Sequence, residues 1–458
     1  MNNKRIIEGL ELKSKAPDSI REKSINHRGV FFKGTTYDLP LVPPIFSQHI
    51  LFSGGIGSGK TNAINQVVQQ LINLRSKKDV VIIFDSKGDF LQTFGKKIPD
   101  SEKVVISNDN AATAIWNMFN ETLIDYQPTY SWKKSFNENL MELANNLFQT
   151  IIEKDTSNPF FPLAAKNIFY GLLKLLANMY LNDHVQGSRT KINNKMIYEL
   201  SKLDSTSIAN KFNEPANQKE LAQLISYLGR IKPDKTGQPA FFENDQGASV
   251  VATLRNVLID IFKGKFSDVG DFSIRDFVRK KGGKFLFIEY DLDQGRVLGP
   301  IYKTMVDLAI KESLCRERSD GNVFFVIDEF RLLPKLDYMD AGVNLGRGLG
   351  AKFIVGIQNL KQIEAIYGEA EAKSILSGFV TNVNFRTTDM ETREYIKSLS
   401  GDQIYEYDVM SLSGGRQREK SSVITDESIL KLNVGEAIVN IPVLDKNPIK
   451  FQFKEFKG

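Results

Sequence analysis

Between residues 48 and 61 the chain reads QHILFSGGIGSGKT. Taken as Gly54-x-x-x-x-Gly59-Lys60-Thr61, the stretch has the spacing of a phosphate-binding P-loop. The residue types suit that chemistry. Gly54, Gly55, Ile56, Gly57, Ser58 and Gly59 would turn successive backbone N–H groups inward around phosphate oxygens, which bulky side chains would obstruct. Lys60 would reach the β- and γ-phosphates, and the Thr61 hydroxyl would bind Mg²⁺. A helix beginning here would add its positive end to the anion site. ATP with Mg²⁺ is therefore the expected ligand.

Two other stretches carry polar residues at the ends of apolar runs. VFFVIDEF, Val323 to Phe330, ends in adjacent carboxylates. Beside a P-loop, Asp328 is expected at the Mg²⁺ and Glu329 as the general base for an attacking water. DVVIIFDSKGDF, Asp79 to Phe90, places Asp85, Lys87 and Asp89 just past a run that reads as a buried parallel strand. Open α/β sheets put ligand-binding groups there, so Asp85 joins the expected nucleotide site. A polar turn capping the next helix accounts for these three residues equally well. Gln358 tips a further strand candidate, Phe353 to Ile357, where an amide can contact the γ-phosphate or the water. Arg347 lies in a Gly346-Arg347-Gly348 turn. An arginine supplied across a subunit boundary contributes roughly 10³–10⁵ in rate, although spacing alone reads Arg347 as a surface residue.

The elements that must position these groups alternate in an α/β pattern. After the P-loop, Ile64, Val67, Val68, Leu71 and Ile72 recur at helical spacing. Gly29 to Leu41 reads as a short hairpin, Lys284 to Tyr290 as a strand and Val297 to Arg318 as a helix. Asn382 to Thr387 and Ala437 to Pro442 complete a sheet. Ser411 to Lys420, SLSGGRQREK, reads as a basic, flexible loop. From about Thr129 to Phe262 amphipathic helical patterns take over, broken by polar segments such as KPDKTGQP at 232–239. The expected division is a polar, loosely ordered arm (1–28), an α/β domain (29–128 and 263–458) and an all-α insertion (129–262).

With 458 residues, two or three domains are expected, and 41% hydrophobic with 25% charged content is that of an ordinary folded protein. A net charge of +5 permits a nucleic-acid partner without requiring one. The single Cys315 excludes an internal disulfide or a cysteine-based metal cluster, and histidines at 27, 49 and 184 are too scattered for a histidine-rich metal site. No stretch reads as the ~20 apolar residues that cross a bilayer, and the N-terminus lacks a signal-peptide apolar region. A cytoplasmic location is expected.

The ordered set of motifs resembles the coupling-protein ATPases of type IV secretion and conjugation, the TraD/TrwB/TraG group. The likeness runs from about Gly29 to the C-terminus. It rests on GGIGSGKT, FDSKGDF, Trp116-Asn117, Asn158-Pro159-Phe160 and VIDEFRLLP. The block GRGLGAKFIVGIQNLKQIEAIYG followed by AEAKSILSGFVTNVNFRTTDMETREYIKSLSG is the most characteristic part. The resemblance implies a RecA-like P-loop NTPase domain with an inserted all-α domain, assembling as a homo-hexamer. Such a ring is thought to use ATP to move DNA, or to pass relaxosome or secreted protein substrates, toward a secretion channel. It implies a trans-acting role for Arg347, nucleotide sensing by Gln358, and a second arginine candidate in Arg386. Typical members carry an N-terminal transmembrane anchor, which this sequence does not display. Either a partner at the inner membrane would supply attachment, or the protein acts away from a channel. The expected function is an oligomeric, DNA-dependent motor. The alternatives are a nucleotide-switched adaptor that recruits protein substrates, or a related cytoplasmic ring translocase of DNA.

Overall fold

The computed structural model describes residues 5–15, 17–109, 111–123, 130–154, 158–185, 191–315, 320–409 and 415–458. The chain forms two compact units, one of Met1–Lys103, Lys281–Phe287 and Ile310–Gly458, the other of Val104–Lys280 and Ile288–Ala309.

The first unit is built on a mixed sheet. Its strands include β1 (Ile50–Ser53), β2 (Val80–Asp85), β3 (Lys284–Glu289), β4 (Val323–Ile327), β5 (Ala351–Ile357), β6 (Thr381–Phe385), β7 (Glu436–Asn440) and β8 (Ile449–Gln452). Their spatial order is β8-β7-β6-β1-β5-β4-β2-β3. β2, β4, β5, β1 and β6 pair in parallel, while β6–β7 and β7–β8 are antiparallel. Residues of β1, β2, β4, β5 and β6 are buried throughout, which is why β1, β2 and β4 read as apolar runs, while β6 (TNVNF) buries polar residues as well. With β1, β2, β4 and β5 parallel, the polar residues that follow each of them gather along one edge of the sheet. Helix α1 (Lys60–Leu74) leaves that edge after β1 and buries Ala63, Ile64, Val67, Val68, Leu71 and Ile72. This is the α/β, RecA-like P-loop fold.

Two readings of the sequence change here. The arm at 1–28 is not loose where it is described: Arg5–Glu8 is a strand and Asp18–Asn26 a helix. The strand forms only by pairing with Asp402–Val409, about four hundred residues away, so no local pattern announces it. The basic segment at 411–420 is not a loop over its described part. Residues 411–414 lie outside the described residues, and Gly415–Ser422 is a strand paired antiparallel to Asp402–Val409. Its charges face charges: Arg416 pairs with Glu406 and Asp408, Arg418 with Glu406, and Lys420 with Asp402. A ribbon with exposed charged residues has no apolar period to betray it.

The second unit is mostly helical. Tyr130–Lys154 and Phe160–Val185 pack together through residues that include Phe148 and Phe169, with ring centroids 5.5 Å apart. The KPDKTGQP break is an antiparallel hairpin of Gly229–Pro233 and Pro239–Glu243, turned at 234–238 with Asp234 accepting from Thr236 and Gln238 N–H groups. One further expectation is corrected. Phe160–Leu181 is long and apolar enough to cross a membrane by length and composition, yet 67% of its apolar window is buried inside the protein. Its Lys174 ammonium pairs with the Glu220 carboxylate and donates to Asn137 Oδ1. It is a core helix. The buried Glu121 carboxylate accepts from Trp116 Nε1, Ser273 Oγ and the N–H groups of Ile274 and Arg275, capping helix Ile274–Lys280.

Candidate functional site

The loop between β1 and α1 takes the conformation that its glycines allow. Gly54, Gly57 and Gly59 have φ of 149°, 70° and 114°, the left-handed region that favours glycine. Space is also short. A Cβ on Gly54 would stand 2.7 Å from Phe385 Cβ, and one on Gly59 would stand 2.9 Å from Gly435 Cα. The Gly55 N–H donates to Arg386 O at 2.9 Å, and Gly435 N–H to Ser58 O, also at 2.9 Å. The loop is thus tied down at both ends by segments more than three hundred residues away. Ile56 at its tip is 86% exposed, so only its backbone can serve a ligand inside the loop.

Lys60 is buried, and its Nζ donates to Gly54 O at 2.6 Å and Gly55 O at 3.0 Å. Burial pulls its pKa below the usual lysine value, opposed by the charges of Asp328 and Glu329 and abetted by Lys87. Thr61 Oγ1 donates to Asp328 Oδ2 at 2.7 Å. Asp328 Oδ1 is buried and has no hydrogen-bond partner. Burial raises the Asp328 pKa against the Thr61 hydrogen bond and the Lys60 charge. Asp85, aligned beside Asp328 by the β2–β4 register, accepts from Leu91 N–H at 2.8 Å through Oδ2 and likewise leaves a buried Oδ1 without a partner. Its pKa too is raised by burial. Two adjacent strand ends therefore present carboxylate oxygens that lack a donor. A hard cation prefers such oxygen ligands, so the donor set fits Mg²⁺.

Glu329 follows Asp328. Its Oε1 accepts from Arg331 Nε at 2.9 Å and its Oε2 from Gln358 Nε2 at 2.7 Å. The structure thus brings Lys60, Thr61, Asp328, Glu329 and Gln358 to one edge of the sheet, with Asp85 alongside. Arg347 is not among them. It lies exposed before β5, whereas Gln358 follows that strand, so seven residues separate the two ends. At ~3.3 Å per residue the gap is on the order of 20 Å. Arg386, the other arginine candidate, directly follows β6 and lies beside the P-loop through its carbonyl, with its side chain exposed.

Two residues of the site were not foreseen. Arg331 lies between Phe330 and Leu332 with no spacing that marks it, and only its place in the Phe330–Leu332 turn brings it to Glu329. Gly356 carries a faint signal, an isolated glycine in a strand pattern, which marks close backbone approach.

A family model described as the type IV secretion-system coupling protein DNA-binding domain matches residues 35–230 and 182–443. Coupling protein TraD of Escherichia coli is 25% identical over 426 residues, which cover 88% of this chain and 52% of TraD. Protein VirD4 of Agrobacterium fabrum is 28% identical over 222 residues, covering 45% of this chain and 33% of VirD4. The chain therefore spans about half the length of TraD and about a third of VirD4. Among solved structures, the bacterial conjugative coupling protein TrwB in an unbound form superposes with a TM-score of 0.72 at 19% identity, over 99% of this chain and 94% of that one. TrwB in complex with ADP and Mg²⁺ gives a TM-score of 0.70 at 18% identity, over 99% and 95%. These superpositions establish a shared fold.

Proposed function

The chain belongs to the type IV secretion-system coupling protein family, and on that premise we propose that it is an ATP-hydrolysing coupling protein that acts on DNA in conjugative transfer. The observation that carries the enzymatic part is the Thr61–Asp328 hydrogen bond, with the unpartnered Asp328 Oδ1 and Glu329 beside it. That is the arrangement a P-loop hydrolase requires.

Each residue has a role in this reading. Backbone N–H groups of the 54–59 loop, apart from that of Gly55, which donates to Arg386 O, and the Lys60 ammonium hold the β- and γ-phosphates of ATP. Lys60 must leave the carbonyls of Gly54 and Gly55 to do so, and it exchanges two neutral acceptors for an anion. Thr61 and Asp328 hold Mg²⁺, which when bound neutralises charge on the phosphate oxygens. Glu329 takes a proton from water as the water oxygen bonds to the γ-phosphorus. The bond from that phosphorus to the bridging oxygen breaks, leaving ADP and inorganic phosphate. Gln358 orients the water or the γ-phosphate, for which its amide must turn from Glu329.

Arg347 cannot reach the site of its own chain, so its role in catalysis requires a second copy. This supports a ring, and a homo-hexamer is the assembly we adopt. DNA as cargo, relaxosome or secreted protein substrates, and a partner holding the protein at the inner membrane belong to the same proposal. TraD and VirD4 support it as relatives, and the bound ADP and Mg²⁺ of TrwB support the ligand assignment. The test is ATP hydrolysis measured against protein concentration, with and without DNA. A motor shows DNA-stimulated turnover that rises cooperatively and vanishes in Lys60→Ala. Binding of ATP with slow turnover indifferent to DNA points instead to the nucleotide-switched adaptor.

A further inference from the structure

Both oxygens of the Glu329 carboxylate are engaged: Oε2 by Gln358 and Oε1 by Arg331. Gln358 has a task elsewhere when nucleotide is present, but the proposed chemistry gives Arg331 none. Its geometry is one-sided. Only Nε meets Glu329, and the side chain is 47% exposed while that of Glu329 is 12% exposed. A guanidinium that commits one N–H and faces solvent retains a fork of donors suited to a phosphate oxyanion.

We propose that Arg331 is a positioning residue that holds the general base in a resting pose, and that a polynucleotide phosphate releases it. The inference rests on Glu329 being the base of an ATP hydrolase, as argued above. Holding the carboxylate between two donors fixes its plane and occupies lone pairs that must face the attacking water. When a backbone phosphate takes the guanidinium, Glu329 loses one of its two holders and turns toward the water. Exchange of a carboxylate for a phosphate is nearly balanced, because both are oxyanions that accept from the same fork. A partly exposed pair of this kind contributes little to stability, which suits a contact that must open on every cycle. Lys87, exposed and close enough to act on Lys60 and Asp328, adds a second cation near the same mouth. Cargo binding and turnover would thereby be linked through one side chain.

The experiment is steady-state ATP hydrolysis by the full chain and by Arg331→Ala, Arg331→Lys and Glu329→Gln, each with and without a long single- or double-stranded DNA. Without DNA, Arg331→Ala should raise kcat about three- to ten-fold and leave KM within about two-fold. Its stimulation by DNA should shrink by the same factor. Arg331→Lys, which keeps the charge but lacks the planar fork, should fall between the two. A structural defect would lower kcat or raise KM instead, and would not be graded by the lysine variant. Lower or unchanged DNA-free kcat in Arg331→Ala, with Glu329→Gln still inactive, overturns the restraint and leaves the hydrolase reading standing. A raised kcat with undiminished stimulation by DNA overturns the phosphate trigger. Glu329→Gln turning over like the wild type overturns both readings.

Discussion

Gly356 faces Asp328 so closely that a Cβ placed on it would stand 2.3 Å from the Asp328 carbonyl oxygen and 3.0 Å from Oδ1. The two residues sit side by side because β4 and β5 pair in parallel with Ile327 opposite Val355. The missing side chain is what lets the metal-ligand candidate take its place. Gly356→Ala must push the carbonyl and the carboxylate together, at a cost of about 1–3 kcal/mol. We expect the variant to fold, judged by far-UV circular dichroism, and to lose about ten-fold or more in Mg²⁺-dependent turnover. Wild-type turnover in Gly356→Ala would show that Asp328 needs no such space.

Thr61 holds Asp328 through a single hydroxyl hydrogen bond. Thr61→Ala leaves Asp328 with both oxygens lacking a hydroxyl partner, and should lower the stability of the nucleotide-free protein by about 1–3 kcal/mol in urea unfolding. Thr61→Ser retains the hydroxyl and should recover most of that loss. Mg²⁺-nucleotide affinity should follow the same order.

His49 predicts a pH dependence. It is fully buried, its Nε2 lies 3.0 Å from Val343 O, and its Nδ1 accepts from Phe353 N–H at 3.1 Å. That pair of bonds requires the neutral ring with the proton on Nε2. Burial lowers its pKa from 6.5 to about 4, opposed by the Val343 hydrogen bond and assisted by Lys352 and Arg347. Between those two values the unfolded chain binds the proton and the folded one does not, so stability rises with pH across the interval. The contribution is full above 6.5 and lost as pH falls to about 4, a change on the order of 3 kcal/mol. Urea midpoints measured across that range should fall with acidification in the wild type, and His49→Gln should remove this part of the slope.

How far these features could be read from sequence depends on what each leaves in the local pattern. β1, β2, β4 and β5 are buried on both faces, so their apolar runs and the polar residues ending them stand out: Lys60, Thr61, Asp85, Asp328, Glu329 and Gln358. The three-stranded sheet of 5–8, 402–409 and 415–422 leaves no such trace. Its charged residues alternate without an apolar period, and its register depends on cross-strand ion pairs such as Arg418–Glu406. The 229–243 hairpin was masked by helical stretches on either side. Arg331 and Gly356 act by proximity across the fold, which spacing along the chain does not carry. His49 belongs with them: its role comes from Val343 and Phe353, some three hundred residues on.

Arg347 gives a prediction about assembly. It lies exposed at the far end of β5 from Gln358, so in the proposed ring it serves a neighbour's site. Arg347→Ala mixed into wild-type protein should depress turnover by more than its share of the mixture, while an excess of inert protein should not. Activity that falls only in proportion to dilution would assign Arg347 to the surface.

The most direct test of the account compares wild type with Glu329→Gln for both ATP binding and DNA-stimulated hydrolysis. The account predicts that the variant binds Mg²⁺-ATP with near wild-type affinity while its turnover falls by about 10²–10⁴, the usual contribution of a general base. A Glu329→Gln protein that hydrolyses ATP at the wild-type rate would contradict it.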